Sequence, residues 1–125
     1  MKQPACPCGG ASYATCCGRF IAQDAVPQTA QELMRSRYTA YTLHDSAYLQ
    51  ATWHAGTRPA EPLQVEEGLK WLGLEVRRHE QDGDAATVEF VARYKIGGRA
   101  HRLHEISRFV REDGRWYYLD EDGVS

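Results

Sequence analysis

Cys6, Cys8, Cys16 and Cys17 are all the cysteines of the chain, and they fall within twelve residues. Four converging thiolates are soft donors that close a tetrahedral zinc site and leave no position open for a substrate. The spacing permits convergence. Pro7 fixes one backbone dihedral between the first pair, and Gly9-Gly10 let the chain bend back behind an ion. Cys16 and Cys17 are neighbours, so both reach one ion only from a turn or from the first turn of a helix. The competing arrangement is a pair of disulfides. A Cys6–Cys8 bridge would close a very small, strained ring, and no signal peptide marks the chain for an oxidising compartment. A structural Zn²⁺ is therefore the expected cofactor. Tyr13, Phe20 and Ile21 are the only large apolar groups of this leader, too few to fold it alone, so ion binding would supply its folding free energy. Lys2 and Arg19 are the nearest charges able to offset four thiolates.

The rest of the chain must hold this knuckle and supply any further chemistry. With 125 residues there is room for one domain beside it: a knuckle over residues 1–22, a linker over 23–28 and a domain over 29–125. Formal charge is −2 with the basic residues spread along the sequence, which leaves no electrostatic footprint for nucleic acid or an anionic membrane. No stretch approaches the ~18 apolar residues of a membrane span. The expectation is a soluble, cytoplasmic protein with no nucleic-acid partner and no membrane insertion.

Arg19 to Gln28 reads as a connector. Thr29-Ala30-Gln31-Glu32 has the form of a capping box and starts a helix through about Leu43 with one apolar face. Asp45 or Ser46 can cap a shorter helix through Thr52. Gly56 to Pro62 is loop, and a third helical turn is expected from Leu63 to Trp71, ended by Gly73. From Leu74 the period becomes two. Strands are expected over Leu74–Gln81, Ala85–Ile96, Arg99–Arg111 and Arg115–Asp120, joined at Asp82-Gly83, Gly97-Gly98 and Asp113-Gly114. Helices followed by an antiparallel meander make the class α+β, with helices on one face of a curved sheet.

Two-residue turns fix a register. At Gly97-Gly98, Tyr94 faces His101, Ala92 faces Leu103, Phe90 faces Glu105 and Val88 faces Ser107; at Asp113-Gly114, Phe109 faces Tyr118 and Arg111 faces Trp116. A three-residue loop or a bulge in the first hairpin sets Val76 against Phe90. One sheet face then collects Val88, Phe90, Ala92, Tyr94, Leu103, Phe109, Trp116 and Tyr118. It also carries His101, Glu105, Ser107 and Asp120, polar groups that need partners or a wet pocket. The lining expected for such a pocket is Arg35, Arg37, Tyr38 and Tyr41 from the first helix, Trp53 after the second, and Phe90, Tyr94, His101, Phe109, Trp116 and Tyr118 from the sheet. Two roles compete for Glu105. The commoner is an ion pair with Arg35 or Arg37 that ties helix to sheet. The sharper is that Glu105, with its pKa raised by desolvation, works with His54 as general base and acid on a small apolar substrate. Trp53 is expected in the core and His104 on the outer face. There Arg93, Arg102, Arg108 and Glu89 form either a solvated mixed-charge surface or a site for a partner or a second copy of the chain.

Cys6-Pro7-Cys8-Gly9-Gly10 through Cys16-Cys17-Gly18-Arg19 resembles the SEC-C zinc motif, whose last ligand is Cys or His. The resemblance implies Cys6, Cys8, Cys16 and Cys17 as ligands. Between its cysteine pairs the chain carries no charge, whereas members of this motif that dock partners carry lysines there. Three helices and a four-stranded meander resemble the cone of the nuclear-transport-factor-two-like superfamily. More closely, Leu33-Met34-Arg35-Ser36-Arg37-Tyr38-Thr39-Ala40-Tyr41, Ala51-Thr52-Trp53-His54, Trp71-Leu72-Gly73-Leu74-Glu75-Val76, Val88 to Tyr94, Leu103 to Phe109 and Gly114-Arg115-Trp116-Tyr117-Tyr118 are similar to the YchJ family of bacteria. That similarity spans almost the whole chain and implies a zinc knuckle ahead of a cone, without bringing an activity. The expected function is a zinc-binding adaptor with a protein partner, homodimerisation being compatible. The alternatives are an isomerase- or dehydratase-type pocket enzyme using Glu105 and His54, and a small-ligand carrier.

Overall fold

The computed structural model of the protein describes residues 6–10, 12–14, 16–23, 25–58 and 68–124, the last three by their backbone alone. Three helices come first: α1 (Gly18–Ile21), α2 (Ala30–Thr42) and α3 (Ser46–Ala51). Four strands follow: β1 (Lys70–Asp82), β2 (Ala85–Ile96), β3 (Arg99–Glu112) and β4 (Arg115–Val124). The strands form one antiparallel sheet in the order β1-β2-β3-β4. Helix α2 lies against β1, β2 and β4, giving an α+β fold with helices on one sheet face.

Helix α2 starts where the capping box predicts. Thr29 is extended, and its Oγ1 accepts from the Glu32 amide at 3.1 Å. The Glu32 carboxylate reaches one residue further back than a standard box, accepting from the Gln28 amide at 2.8 Å. One buried face was expected, but the helix is buried nearly all round. Leu33, Met34, Arg37 and Tyr38 are buried, and so are the small Ser36, Thr39 and Ala40. The second side is covered by α3 and the knuckle: Ser36 Oγ meets the Tyr48 hydroxyl at 2.6 Å, and Thr39 Oγ1 meets Cys6 Sγ at 3.6 Å.

The register of the β2–β3 hairpin is the expected one at every position, including Phe90 opposite Glu105 and Val88 opposite Ser107. Both turn residues of Gly97-Gly98 and of Asp113-Gly114 have positive φ, matching the primed turns that suit twisted strands. The first hairpin turns on Gly83-Asp84, so the longer loop is absent. A bulge between Val76 and Arg78 sets Val76 against Phe90.

Three expectations are corrected. Strand β1 begins at Lys70, so Trp71 and Gly73 are strand residues rather than the end of a helical turn. Trp71 packs on Tyr94 across the pair at 5.5 Å, an aromatic contact that helical periodicity could not anticipate. Residues 63–67 of that turn, and 59–62 of the preceding loop, lie outside the described residues. Arg19 to Ile21, read as connector, belong to α1. Asp120 was assigned to the inner face, but a register shift around Leu119 turns it outward, where Arg108 grips it with two 2.5 Å bonds. Glu121 then stands opposite Ser107.

One buried cluster joins the inner sheet face, through Ala86, Val88, Phe90, Ala92, Phe109 and Trp116, to Ala30, Leu33, Met34 and Tyr38 of α2, and includes Cys6, Cys8 and Cys17. Because the cap anchors the helix central to this cluster, Thr29→Ala should cost about 1 kcal/mol. Urea unfolding should show it as a lower midpoint at unchanged slope; an unchanged midpoint would remove the cap from the account.

Candidate functional site

Two places gather chemistry, on opposite sides of α2. The first is the cysteine cluster. Gly9 takes φ +104° in a tight turn in which the Gly9 amide bonds the Cys6 carbonyl and the Cys6 amide bonds the Gly10 carbonyl, each at 3.0 Å. A Cβ on Gly10 would lie 2.6 Å from Cys16 Sγ, so this position has room only for glycine. Cys17 is the N-cap of α1 and Cys16 precedes it, the first-turn arrangement that adjacent ligands require.

All four are free thiols, and their sulfurs lie within 4.8 Å of one another. Cys8 and Cys16 sulfurs are 3.5 Å apart, Cys16 and Cys17 4.0 Å. Sulfurs on a tetrahedral ion at about 2.3 Å are separated by about 3.8 Å, so the cluster fits one ion. Cys8, receiving bonds from its neighbours, has its pKa lowered to about 4. Cys16 is pushed up to about 11 by burial and by its closeness to Cys8, and Cys17 is also raised. One thiolate is thus stabilised by the group, and a cation would be needed to ionise the rest. Lys2 lies outside the described residues. Arg19 Nε donates to the Cys16 carbonyl at 3.0 Å, and Arg35, which the sequence suggested for the pocket, donates to the Cys8 carbonyl at 3.0 Å.

The second place is a cavity of about 270 Å³ between α2 and the inner sheet face. Helix α2 contributes Met34, Arg37, Tyr38 and Tyr41, a stripe at i, i+3, i+4 and i+7. Strands β2 and β3 contribute alternate residues, Phe90 and Ala92, then Leu103, Glu105, Ser107 and Phe109, while Trp53, Trp71 and Tyr118 complete the wall. The segment after α3 is stitched to β4, with Tyr118 N–H donating to the Thr52 carbonyl and His54 N–H to the Tyr118 carbonyl, both at 2.8 Å. Those bonds hold the Trp53 ring edge-on to Tyr118 at 5.0 Å.

Glu105 forms no ion pair with Arg35 or Arg37, contrary to the commoner of its two expected roles. The arginines are two residues apart, about 200° around the helix, so Arg35 faces the cysteines. Arg37 faces the cavity, but its Nη1 donates to the Leu49 carbonyl (2.8 Å) and Thr52 Oγ1 (2.7 Å), and its guanidinium lies over the rings of Tyr118 (4.7 Å) and Trp53 (5.3 Å). Glu105 accepts instead from Ser107 Oγ. Burial pushes the Glu105 pKa up and Glu121 adds to this, against opposing effects of the Ser107 bond and Arg37. Burial and Glu105 likewise raise Tyr118, and burial takes Tyr38 up to about 12.

His54 does not join Glu105. Its Nδ1 accepts from the Gly56 amide at 3.0 Å, so Nε2 carries the proton and donates to Glu112 at 2.7 Å, outside the cavity. The acid–base pair is therefore not assembled. Tyr94 and His101 stack at 5.2 Å away from the lining, His101 being exposed. Trp116 is buried elsewhere, its Nε1 donating to the Gln28 carbonyl at 3.3 Å. Trp53 Nε1 is buried without a hydrogen-bond partner among the described residues. Met34, Trp71, Ala92, Leu103 and Ser107 were missed as lining. The stripe on α2 and the strict alternation from Leu103 to Phe109 were the signals for three of them. On the outer face His104 Nε2 bonds Glu89 at 2.7 Å, while Arg93 and Arg102 are exposed.

A profile of the family described as "YchJ, middle NTF2-like domain" matches residues 29–121. A "UPF0225 protein" of Cupriavidus metallidurans is 59% identical over 94% of this chain and 87% of its own length. One from Chromobacterium violaceum is 59% identical over 95% of this chain and 93% of its own. The solution structure of a SEC-C motif containing protein from Rhodopseudomonas palustris superposes with a TM-score of 0.86 at 33% identity, covering 98% of this chain and 100% of that one. A crystal structure of a SEC-C motif containing protein from Psychrobacter arcticus gives 0.78 at 28% identity, covering 99% and 84%. No helix among the described residues is long and apolar enough to cross a membrane.

A carboxyl whose pKa is raised on folding holds its proton more tightly in the native state. Its contribution favours folding at acid pH and is lost as pH rises from the unfolded value of about 4.3 through the folded one. Glu105→Gln stays neutral, so as pH rises from about 4 until the folded Glu105 carboxyl itself ionises, its unfolding free energy should improve steadily relative to the parent. A difference that stays flat across that range would contradict the burial of Glu105.

Proposed function

The chain belongs to the YchJ family, and on that premise we propose that it is a small-ligand-binding protein whose cone cavity is the working site and whose cysteines hold a structural Zn²⁺. The observation that carries this is a cavity walled by seven aromatic side chains in which a carboxyl and a guanidinium stand without an ionic partner among the described residues. Small-molecule sites combine mostly apolar walls with a few placed polar groups in this way. A structural tie between helix and sheet would pair Glu105 with Arg37, and the two do not pair: Ser107 holds the carboxyl, while Leu49 and Thr52 hold the guanidinium. The volume corresponds to about nine water molecules at liquid density, enough for a ligand of about ten heavy atoms.

Binding is favoured over turnover because among the described residues the lining holds one carboxyl and no imidazole, and the phenols of Tyr38 and Tyr118 are raised so that they keep their protons. The adaptor reading has less support. Three of the four cysteines are buried in the main core cluster, so much of the knuckle's surface is spent on its own domain. In its favour stands a cleft of about 270 Å³ where the knuckle meets α3 and β4, lined by Phe20, Val26, Pro27 and Trp116 among others, which a protein partner could enter.

Zinc is favoured by four sulfur donors at tetrahedral spacing. Elemental analysis of protein purified without chelator should find about one zinc per chain. Cys8→Ser should lose it and lower the melting midpoint of the whole domain in a single transition, because Cys8 shares a cluster with Leu33 and Met34. Metal-free protein that melts like the parent would defeat the structural role.

For the cavity, indole and 3-phenylpropanamide serve as probes in calorimetry and in amide shift mapping. They should perturb residues lining the cavity, and Ala92→Phe, which fills it from a buried position, should abolish binding while the protein stays folded. Binding that survives the filled variant, or its absence for every probe including charged analogues, counts against the reading.

A further inference from the structure

Arg37 is 5% exposed, and among the described residues no carboxylate lies within ion-pair distance of it. Arginines this buried are seldom left without an anion. The neutral acceptors Leu49 O and Thr52 Oγ1 both engage Nη1, so the opposite edge, Nε and Nη2, has no partner among the described residues. That edge belongs to a side chain lining the cavity. The surrounding wall adds residues that carry donors: Tyr41 and Tyr118 share the lining, as does Trp53, whose buried Nε1 has no partner among the described residues. One planar fork with two donors to spare, inside an apolar cavity, matches the two oxygens of a carboxylate.

Resting on the cavity as the working site, we infer that its ligand is a small monocarboxylate with an apolar body, whose carboxylate sits on the Nε–Nη2 edge of Arg37 and whose body lies against the aromatic walls. The opposite class, an ammonium held by Glu105 and the rings, fits less well. The faces of Trp53 and Tyr118 that would receive a cation already carry the guanidinium. Glu105 is already hydrogen-bonded by Ser107, and burial favours its neutral form, which can stand near a carboxylate without repelling it.

The test is a series with one body and three heads: 3-phenylpropanoate, 3-phenylpropanamide and 3-phenylpropylamine, titrated calorimetrically into the full-length zinc-loaded protein at constant ionic strength. The acid should bind at least about tenfold tighter than the amide, the step expected of hydrogen bonds to a charged group, and the amine weakest. Arg37→Met should erase the acid's advantage while the amide still binds. Glu105→Gln should leave that advantage in place or enlarge it. Arg37 also anchors α3, so if Arg37→Met does not fold, the order of the three heads on the parent decides alone. Amide or amine binding as tightly as the acid overturns the carboxylate assignment and leaves the cavity reading standing. Failure of all three to bind overturns both.

Discussion

Helix α2 has almost no free side, and the rest of the structure follows from that constraint. Its thirteen residues are walled by the sheet through Leu33, Met34 and Tyr38, by α3 through Ser36 and Arg37, and by the cysteine cluster through Arg35 and Thr39. An isolated helix of this length is marginal in water, so packing must supply its stability. Small hydroxyl residues on the back of the helix let α3 and the knuckle come close while each buried oxygen finds a partner, as Ser36 does with the Leu33 carbonyl and Tyr48. A metal-binding leader and an internal cavity are thus two sides of one short rod.

Arg37 shows how magnitudes sort the interactions in that rod. Removing a guanidinium from water costs several kcal/mol even after relaxation. Two hydrogen bonds from a charged donor return about 1.5–3 kcal/mol each, and contact with two aromatic faces returns up to about 2 kcal/mol each when desolvated. These gains are of the same order as the cost, so the charge is tolerated with its second edge idle. Pairing it with Glu105 would be a tighter solution for a merely structural residue.

The sheet was legible from sequence wherever turn chemistry dictates register. Gly97-Gly98 and Asp113-Gly114 accept positive φ at both positions, and two-residue turns leave only one pairing open to each strand. The cysteine site was legible from donor type and spacing, down to the helical first turn beneath Cys16 and Cys17. What escaped were features that local pattern does not encode. Trp71 reads as the end of a helix until Tyr38, Tyr41 and Tyr94 gather around it. The choice between Arg35 and Arg37 as partner for Glu105 had a third answer, because backbone carbonyls and aromatic faces compete for arginines and leave no trace in composition. His54 was drawn away by Glu112, distant in sequence and close in space.

The irregularity in β4 has a wider meaning. Leu119 is a surplus residue between Tyr118, whose ring meets Phe109 inside, and Asp120, which meets Arg108 outside. One surplus residue reverses the facing of those that follow it, so Asp120 goes outside to Arg108 and Glu121 takes the place opposite Ser107. Were that leucine instead paired with Arg108, as unbroken alternation would have it, Asp120 would stand opposite Ser107 and the carboxylate that now meets Arg108 would turn toward the hollow. Which of two neighbouring carboxylates stands opposite Ser107, Glu121 rather than Asp120, is therefore decided by one leucine that has no counterpart across the ladder.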